Sequence, residues 1–172
     1  MKFKIIFIIM LNCSCNTTLN YNESENFFEF DEIVHYSIND NTQNANKDND
    51  TFQNWYYRDF PNSLNDDLSS VSDLLNYGYN YNLMPLNKYS QINKIFSEKE
   101  LREGRTIMCT PKYRDILLFK KNKKIVGIAK ICFECEKCQI VGTKKNTISF
   151  YNPGNFKKLY KILYGKEYKW NE

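Results

Sequence analysis

The residues best suited to chemistry in this chain are its cysteines. The sequence holds six of them, and four lie in its second half. These four are Cys109, Cys132, Cys135 and Cys138. Thiols of this kind can pair as disulfides, bind zinc or exchange disulfides with other thiols. The last three fall in one short stretch, CFECEKC, so these three thiols must lie on neighbouring elements of the fold.

Disulfide bonding is the first interpretation of these four cysteines, because close thiols pair in an oxidising compartment. Several pairings are possible, and the sequence does not choose between them. A hairpin centred on Asn122 would place Cys109 opposite Cys135, although Pro111 interrupts the first strand.

Two alternatives remain open for the same thiols. A structural zinc site would use all four, Cys109, Cys132, Cys135 and Cys138, although zinc sites more often combine two separated CxxC pairs. A redox site would use Cys132 and Cys135, which form a CxxC after a predicted strand. That chemistry favours a helix immediately after the motif, whereas residues 139–142 are typical of a strand.

Other catalytic patterns are weak. The chain has one histidine, His35, and its surroundings favour a packed or surface role. Glu29, Asp31 and Glu32 could form a carboxylate pair, but nothing in the sequence places them in a cleft. We therefore predict no catalytic residue and no cofactor other than the zinc alternative. We expect a binding or interaction domain for a protein or envelope partner instead of an enzyme.

The first fifteen residues, MKFKIIFIIMLNCSC, are typical of an export signal. Lys2 and Lys4 precede an apolar run over residues 5–11, which is too short to span a bilayer as a helix. Ser14 and Cys15 then resemble the cleavage site of a bacterial lipoprotein. We predict that Cys15, with Cys13 as the alternative, carries acyl chains such as palmitate and anchors the chain in the lipid bilayer. The domain would then face the periplasm or the cell surface.

The rest of the chain divides into a polar tether and one domain. Residues 16–26 are polar and lack periodicity, and residues 27–172 are long enough for a single core. Strands are predicted at 27–38, 114–120, 124–132, 139–142 and 147–151. Helices are predicted from Ser63 to before Gly78, over 88–96 and over 155–164. The expected fold is α+β, an antiparallel sheet with helices packed on one side.

Charge is distributed unevenly along the chain. Residues 16–80 hold twelve acidic and two basic side chains, and residues 81–172 hold eight acidic and twenty basic ones. The simplest interpretation is that the two halves pack together and their charges largely cancel. The alternative is a basic face for an anionic partner such as a lipid headgroup. An exported domain rarely meets nucleic acid, so we predict no nucleic-acid partner.

A resemblance supports the predicted address. The lipoprotein-like start, the composition rich in Asn, Lys, Ile and Tyr, and the strand pair that ends in ICFEC at residues 131–135 resemble small exported lipoproteins of Bacteroidota. The similarity is clearest over residues 113–165, and Cys138 goes beyond the CxxC of that group. The resemblance implies an envelope location and implies no activity.

Overall fold

A five-stranded antiparallel sheet organises the computed structural model, which describes residues 25–39, 48–100 and 109–169. The strand order is β2-β1-β3-β4-β5. The strands are β1 Glu32–Ser37, β2 Asn80–Leu83, β3 Asp115–Lys121, β4 Lys124–Cys132 and β5 Lys137–Val141. The helices are α1 Asp50–Tyr56, α2 Tyr89–Ile95 and α3 Asn155–Tyr164. The predicted single α+β domain on an antiparallel sheet is confirmed.

The hairpin between β3 and β4 turns in two residues. Asn122 and Lys123 have φ of 51° and 65°, which suits a tight turn whose twist matches the strands. A bulge after Phe119 then shifts the register, so that Asp115 faces Ile131. The register predicted from a turn centred on Asn122 is therefore wrong, because both the two-residue turn and the bulge displace the strands.

Helices cover both faces of the sheet instead of gathering on one. Alternate residues of β3 enter two separate cores: Leu117 packs on the face that carries α2 and α3, and Leu118 packs on the face that carries α1. This is possible because β3 and β4 have apolar residues at successive positions. The side chains on both faces of these strands can therefore be buried.

The strongest confirmations are β4 and α3. The helix α3 ends where Gly165 takes a left-handed φ of 70°, as the sequence predicts. The predicted first strand is shortened to β1, and β5 begins two residues earlier than expected.

Two predicted elements are wrong, and two observed elements, α1 and β2, were not predicted. The region from Ser63 to Gly78 holds turns and a 3₁₀ helix at Ser69–Leu74, because Asp66 accepts the backbone N–H groups of Asn62 and Ser63 without a helix following. The helix α1 lies where none was predicted. Residues 79–86 contain β2, and residues 147–151 form a 3₁₀ helix instead of a strand.

The N-terminal signal and the tether up to residue 24 lie outside the described residues, as do residues 40–47. The last two tether residues belong to the fold, since Asn26 forms a bridge with Ser97 and the Glu25 carbonyl accepts the backbone N–H of Glu98. Within the described ranges no helix is long and apolar enough to cross a membrane.

Candidate binding cavity and cysteine cluster

A cavity of about 240 Å³ opens at one end of the sheet, where the last residues of β1 and β4 and the first residues of β3 meet the C-terminal part of α3. Antiparallel pairing brings these three strand ends together, with Ser37 opposite Asp115 and Asp115 opposite Ile131. The cavity is lined by Ile38, Asn39, Lys112, Arg114, Asp115, Cys132, Phe133, Glu134, Tyr160, Tyr164, Lys166 and Tyr168.

Asp115 is the polar centre of this cavity. Its Oδ1 lies 2.7 Å from His35 Nε2, and the Tyr164 hydroxyl donates to the same oxygen at 2.5 Å. His35 and Asp115 are both buried, whereas Tyr164 is 39% exposed. Two hydrogen bonds to one carboxylate oxygen fix the acid and both neighbours in place. The arrangement is suited to orienting a bound molecule.

Aromatic rings form one side of the cavity. Tyr160 lies at their centre, with ring centroids 4.6 Å from Tyr164, 4.8 Å from Tyr168 and 5.1 Å from Phe133. Burial, followed by the Asp115 charge and hydrogen bond, raises the pKa of Tyr164 far above its usual value. Burial and the Glu134 charge raise the pKa of Tyr168 to about 12. These hydroxyls therefore stay protonated at neutral pH and remain hydrogen-bond donors.

The charges around the cavity are nearly balanced. Three cations, Lys112, Arg114 and Lys166, stand against Asp115 and Glu134. An Arg114 guanidinium nitrogen lies 2.7 Å from a Glu134 carboxylate oxygen, so part of this charge is already paired. A neutral polar ligand suits such a lining better than a strongly charged one.

Cys109 and Cys135 lie beside this cavity within disulfide distance, with their Cα atoms 6.0 Å apart. The Lys137 ammonium donates to the Cys109 carbonyl at 2.6 Å, which holds the segment before β3 against the turn between β4 and β5. The predicted disulfide chemistry thus has a matching pair in the fold. The pairing does not come from the predicted register, since Cys109 precedes β3 and Cys135 lies in the turn.

The other two cysteines point away from each other. Cys132 packs with Tyr113 and Cys135, whereas Cys138 packs against the core on the α3 face. They lie on opposite faces because Cys138 pairs with Ile131 and Cys132 with Lys137 in the β4–β5 ladder. Burial raises the pKa of Cys138 well above its usual value.

The proposed four-cysteine zinc set is therefore not assembled. No group of three or more metal-binding side chains occurs in the part of the chain that the structure describes. One zinc ion cannot reach both faces of a sheet at tetrahedral bond lengths. The physical reason is β5, which begins at Lys137 and places Cys138 inside the ladder.

The redox alternative also lacks its required geometry. A reactive CxxC needs an accessible first thiol at the start of a helix. Cys132 is 2% exposed, and a turn followed by β5 succeeds it. Its burial among Tyr113 and Cys135 fits a structural thiol.

Lys130 is a buried charged residue that sequence reasoning missed. Its ammonium donates to the carbonyls of Asn54 at 3.0 Å, Arg58 at 2.5 Å and Phe60 at 2.7 Å. The nitrogen also lies 4.5 Å from the centroid of the Tyr113 ring. These contacts fasten the end of α1 and the loop after it to the middle of β4.

Burial lowers the pKa of Lys130 to about 7, and the nearby Asp59 carboxylate opposes that shift. Asp59 is itself held by the Tyr113 hydroxyl, which donates to it at 2.7 Å. A lysine within an otherwise apolar strand, in KIVGIAKIC, was the available signal for this buried group.

Sequence reasoning also missed the cavity itself. His35 was expected to pack or to lie at the surface, and it is buried as a partner of Asp115. Asp115 and Tyr164 carried no signal, because an acid at the start of a strand and a tyrosine in the last turn of a helix are ordinary. Glu29 and Glu32 do not form a carboxylate pair with each other: Glu29 contacts Lys121 and Glu32 contacts Lys120.

Comparison of the chain with protein-family models, with curated proteins and with solved structures gave no match.

Proposed function

We propose that this protein is a lipoprotein of the bacterial cell envelope whose α+β domain is a non-enzymatic binding module. Cys15 carries the acyl chains, and the domain faces the periplasm or the cell surface. Its partners are the lipid bilayer, through those chains, and a small molecule or envelope component held in the cavity at the end of the sheet.

The cavity around Asp115 is the observation that carries the binding proposal. Aromatic rings, a fixed carboxylate and protonated tyrosine hydroxyls converge on a concave space, which is the usual composition of a ligand site. His35 and Tyr164 both hydrogen-bond Asp115 and hold its carboxylate in a fixed position in the cavity lining, which suits the orientation of a ligand.

The cavity suits a neutral polar ring of about the size of one sugar. Tyr160 and Tyr168 offer faces for stacking, and Asp115 accepts hydrogen bonds from hydroxyl groups. The nearly balanced lining charges favour a ligand without net charge.

Two features support the envelope address. The sequence pattern of residues 1–15 is that of an acylated export signal. The pair Cys109 and Cys135 lies at disulfide distance, and disulfides persist in oxidising compartments outside the cytoplasm.

Intact mass of the protein from its native membrane fraction tests the address. We expect a chain that starts at Cys15 with added acyl mass, and a gain of two hydrogens on reduction. A chain that starts at Met1 with all cysteines reduced would overturn the proposal. A start at Cys13 would keep the anchor and move the acylated residue.

Ligand binding is tested by NMR titration of the ¹⁵N-labelled full chain with glucose and with N-acetylglucosamine at millimolar concentrations. We expect the shifts to concentrate around Tyr160, Tyr164 and Tyr168. Tyr164→Phe should weaken binding by about tenfold, since it removes the hydroxyl group that holds the Asp115 carboxylate in place. Tyr81→Phe in β2 is the matched control and should leave affinity unchanged. Shifts spread evenly over the surface would refute the cavity as the site.

A further inference from the structure

A second concave surface lies between α2 and α3. It has a volume of about 490 Å³ and is here called the lysine groove. Its lining is Gln91, Lys94, Ile95, Lys99, Asn155, Lys158, Lys161 and Ile162. Half of these residues are lysines, and no acidic residue lines the groove in the described part of the chain.

The lysines converge from two elements. Lys94 lies in the last turn of α2, and Lys158 and Lys161 lie three residues apart on α3 and therefore on one face of that helix. Lys99 follows α2, and its ammonium donates to the Lys94 carbonyl. Burial and the charges of Lys158 and Lys94 lower the pKa of Lys99, as expected where like charges are held together.

A bound anion would reduce the repulsion between the lysine charges in the groove. Lys161 already contacts Glu167 at 2.6 Å, so part of the charge is balanced within the domain. The floor of the groove is apolar, because Ile95 is buried and Ile162 is half-buried beneath the lysines. A ligand that fits both features carries a phosphate and, next to it, an apolar portion.

The position of the N-terminal segment indicates which anion lies close to the lysine groove. Glu25 is the first described residue, and its carbonyl accepts the backbone N–H of Glu98, which follows α2 and precedes Lys99. Nine residues separate Cys15 from Glu25, and the ten steps between these two residues span at most about 36 Å. A bilayer that holds an acylated Cys15 therefore lies within reach of the groove.

We propose that the lysine groove binds the phosphate headgroup of an anionic lipid in the membrane that anchors the protein. The choice of a lipid rests on the proposed anchor, whereas the affinity of the groove for phosphate rests on the lysines alone. Binding there would turn the α2–α3 side of the domain toward the bilayer. The cavity at the end of the sheet is lined by different residues and would remain free for its own ligand.

Vesicle co-sedimentation of the full chain carrying Cys13→Ser and Cys15→Ser tests the groove without acyl chains. Vesicles of phosphatidylcholine alone measure any binding through the apolar N-terminus, and vesicles that also contain phosphatidylglycerol measure the anionic contribution. We expect clearly tighter binding to the anionic vesicles, which declines as salt is raised.

Charge reversal locates the contact. Lys94→Glu with Lys158→Glu should weaken binding to anionic vesicles by at least about tenfold, since each basic residue near an anionic surface contributes a factor of about five. The matched control is Lys123→Glu with Lys124→Glu, which changes charge equally at the β3–β4 turn, outside the groove. It should have a much smaller effect. Circular dichroism checks that each variant is folded.

Three outcomes would overturn the inference. One is equal loss of binding in both charge-reversed variants, which would indicate a non-specific basic surface. Another is binding of inorganic phosphate to the lysine groove with no preference of the protein for anionic vesicles, which would make the ligand a soluble anion. The last is tighter, Lys94-dependent binding of a polyglutamate peptide, which would make the partner an acidic protein segment. None of these depends on whether Cys15 is acylated, so intact mass tests the anchor separately.

Discussion

His35 and Asp115 form a buried pair, with Nε2 and Oδ1 2.7 Å apart, although 80 positions separate them in the chain. The pairing of β1 with β3 brings them together at the end of the sheet. Because Asp115 also accepts the Tyr164 hydroxyl, this carboxylate joins the sheet to α3 at the mouth of the candidate cavity.

Asp115→Ala should lower the free energy of unfolding by about 3 kcal/mol, since it leaves buried His35 without its partner. Urea denaturation measures the loss. The matched control is Glu134→Ala, which removes the more exposed ion pair with Arg114 at the same cavity and should change stability by less than about 1 kcal/mol. Equal effects of the two variants would contradict a structural role for the buried pair.

The sequence allowed the prediction of those elements whose signals are local. The strand β4 is apolar apart from Lys124 and Lys130, and α3 is bounded by Gly154 and Gly165, both of which take left-handed backbone angles. The turn at Asn122 was found for the same reason, although its bulge was not.

Features that depend on distant pairing escaped prediction. The contact of His35 with Asp115 requires β1 to lie beside β3, which no local pattern indicates. The separation of Cys132 from Cys138 depends on where β5 begins, and the prediction started that strand at Gln139, one residue after Cys138. With the strand starting two residues earlier than predicted, Cys138 lies within β5 and cannot join Cys132 in a four-cysteine zinc site.

Replacing Cys109 and Cys135 together by Ser should lower the free energy of unfolding by about 3 kcal/mol, because a cross-link that closes a loop of this length restricts the unfolded chain. Urea denaturation with and without dithiothreitol measures it. The reductant should lower the stability of the wild-type protein by a similar amount and leave the double variant unchanged. A wild-type protein that is insensitive to the reductant would show that the two thiols are not bonded.

Lys130→Met should lower the free energy of unfolding by about 3 kcal/mol at pH 7, because the carbonyls of Asn54, Arg58 and Phe60 lose their shared donor. Lys120→Met is the matched control, since Lys120 is half-buried and paired with Glu32 near the surface. It should cost less than about 1 kcal/mol.

The stability of the wild-type protein relative to Lys130→Met should also depend on pH. Burial lowers the pKa of Lys130 in the folded state to about 7, whereas the unfolded lysine keeps its usual pKa of about 10.4. Between those values the unfolded state binds more protons, so the free energy of unfolding rises with pH. The gain between pH 7 and pH 9 should be about 2 kcal/mol. A difference that stays flat would mean that the carbonyls keep the amine charged.

Gly127 tests how closely the N-terminal segment packs on the sheet. A methyl group added there would lie 2.3 Å from the ring of Phe28, which is buried against Phe119 at 4.6 Å between centroids. Gly127→Ala should therefore displace Phe28 and lower the free energy of unfolding by about 2 kcal/mol. Thermal or urea denaturation measures the change.

Two further variants separate this crowding from the general effect of losing a glycine. Gly154→Ala introduces a methyl group into open space, and its strain comes from the φ of 81° alone, for which we expect about 1 kcal/mol. Phe28→Leu should partly rescue Gly127→Ala, because the smaller side chain leaves room for the methyl group. If the double variant is no more stable than the sum of its two single effects predicts, Phe28 is not the residue that the new methyl group meets.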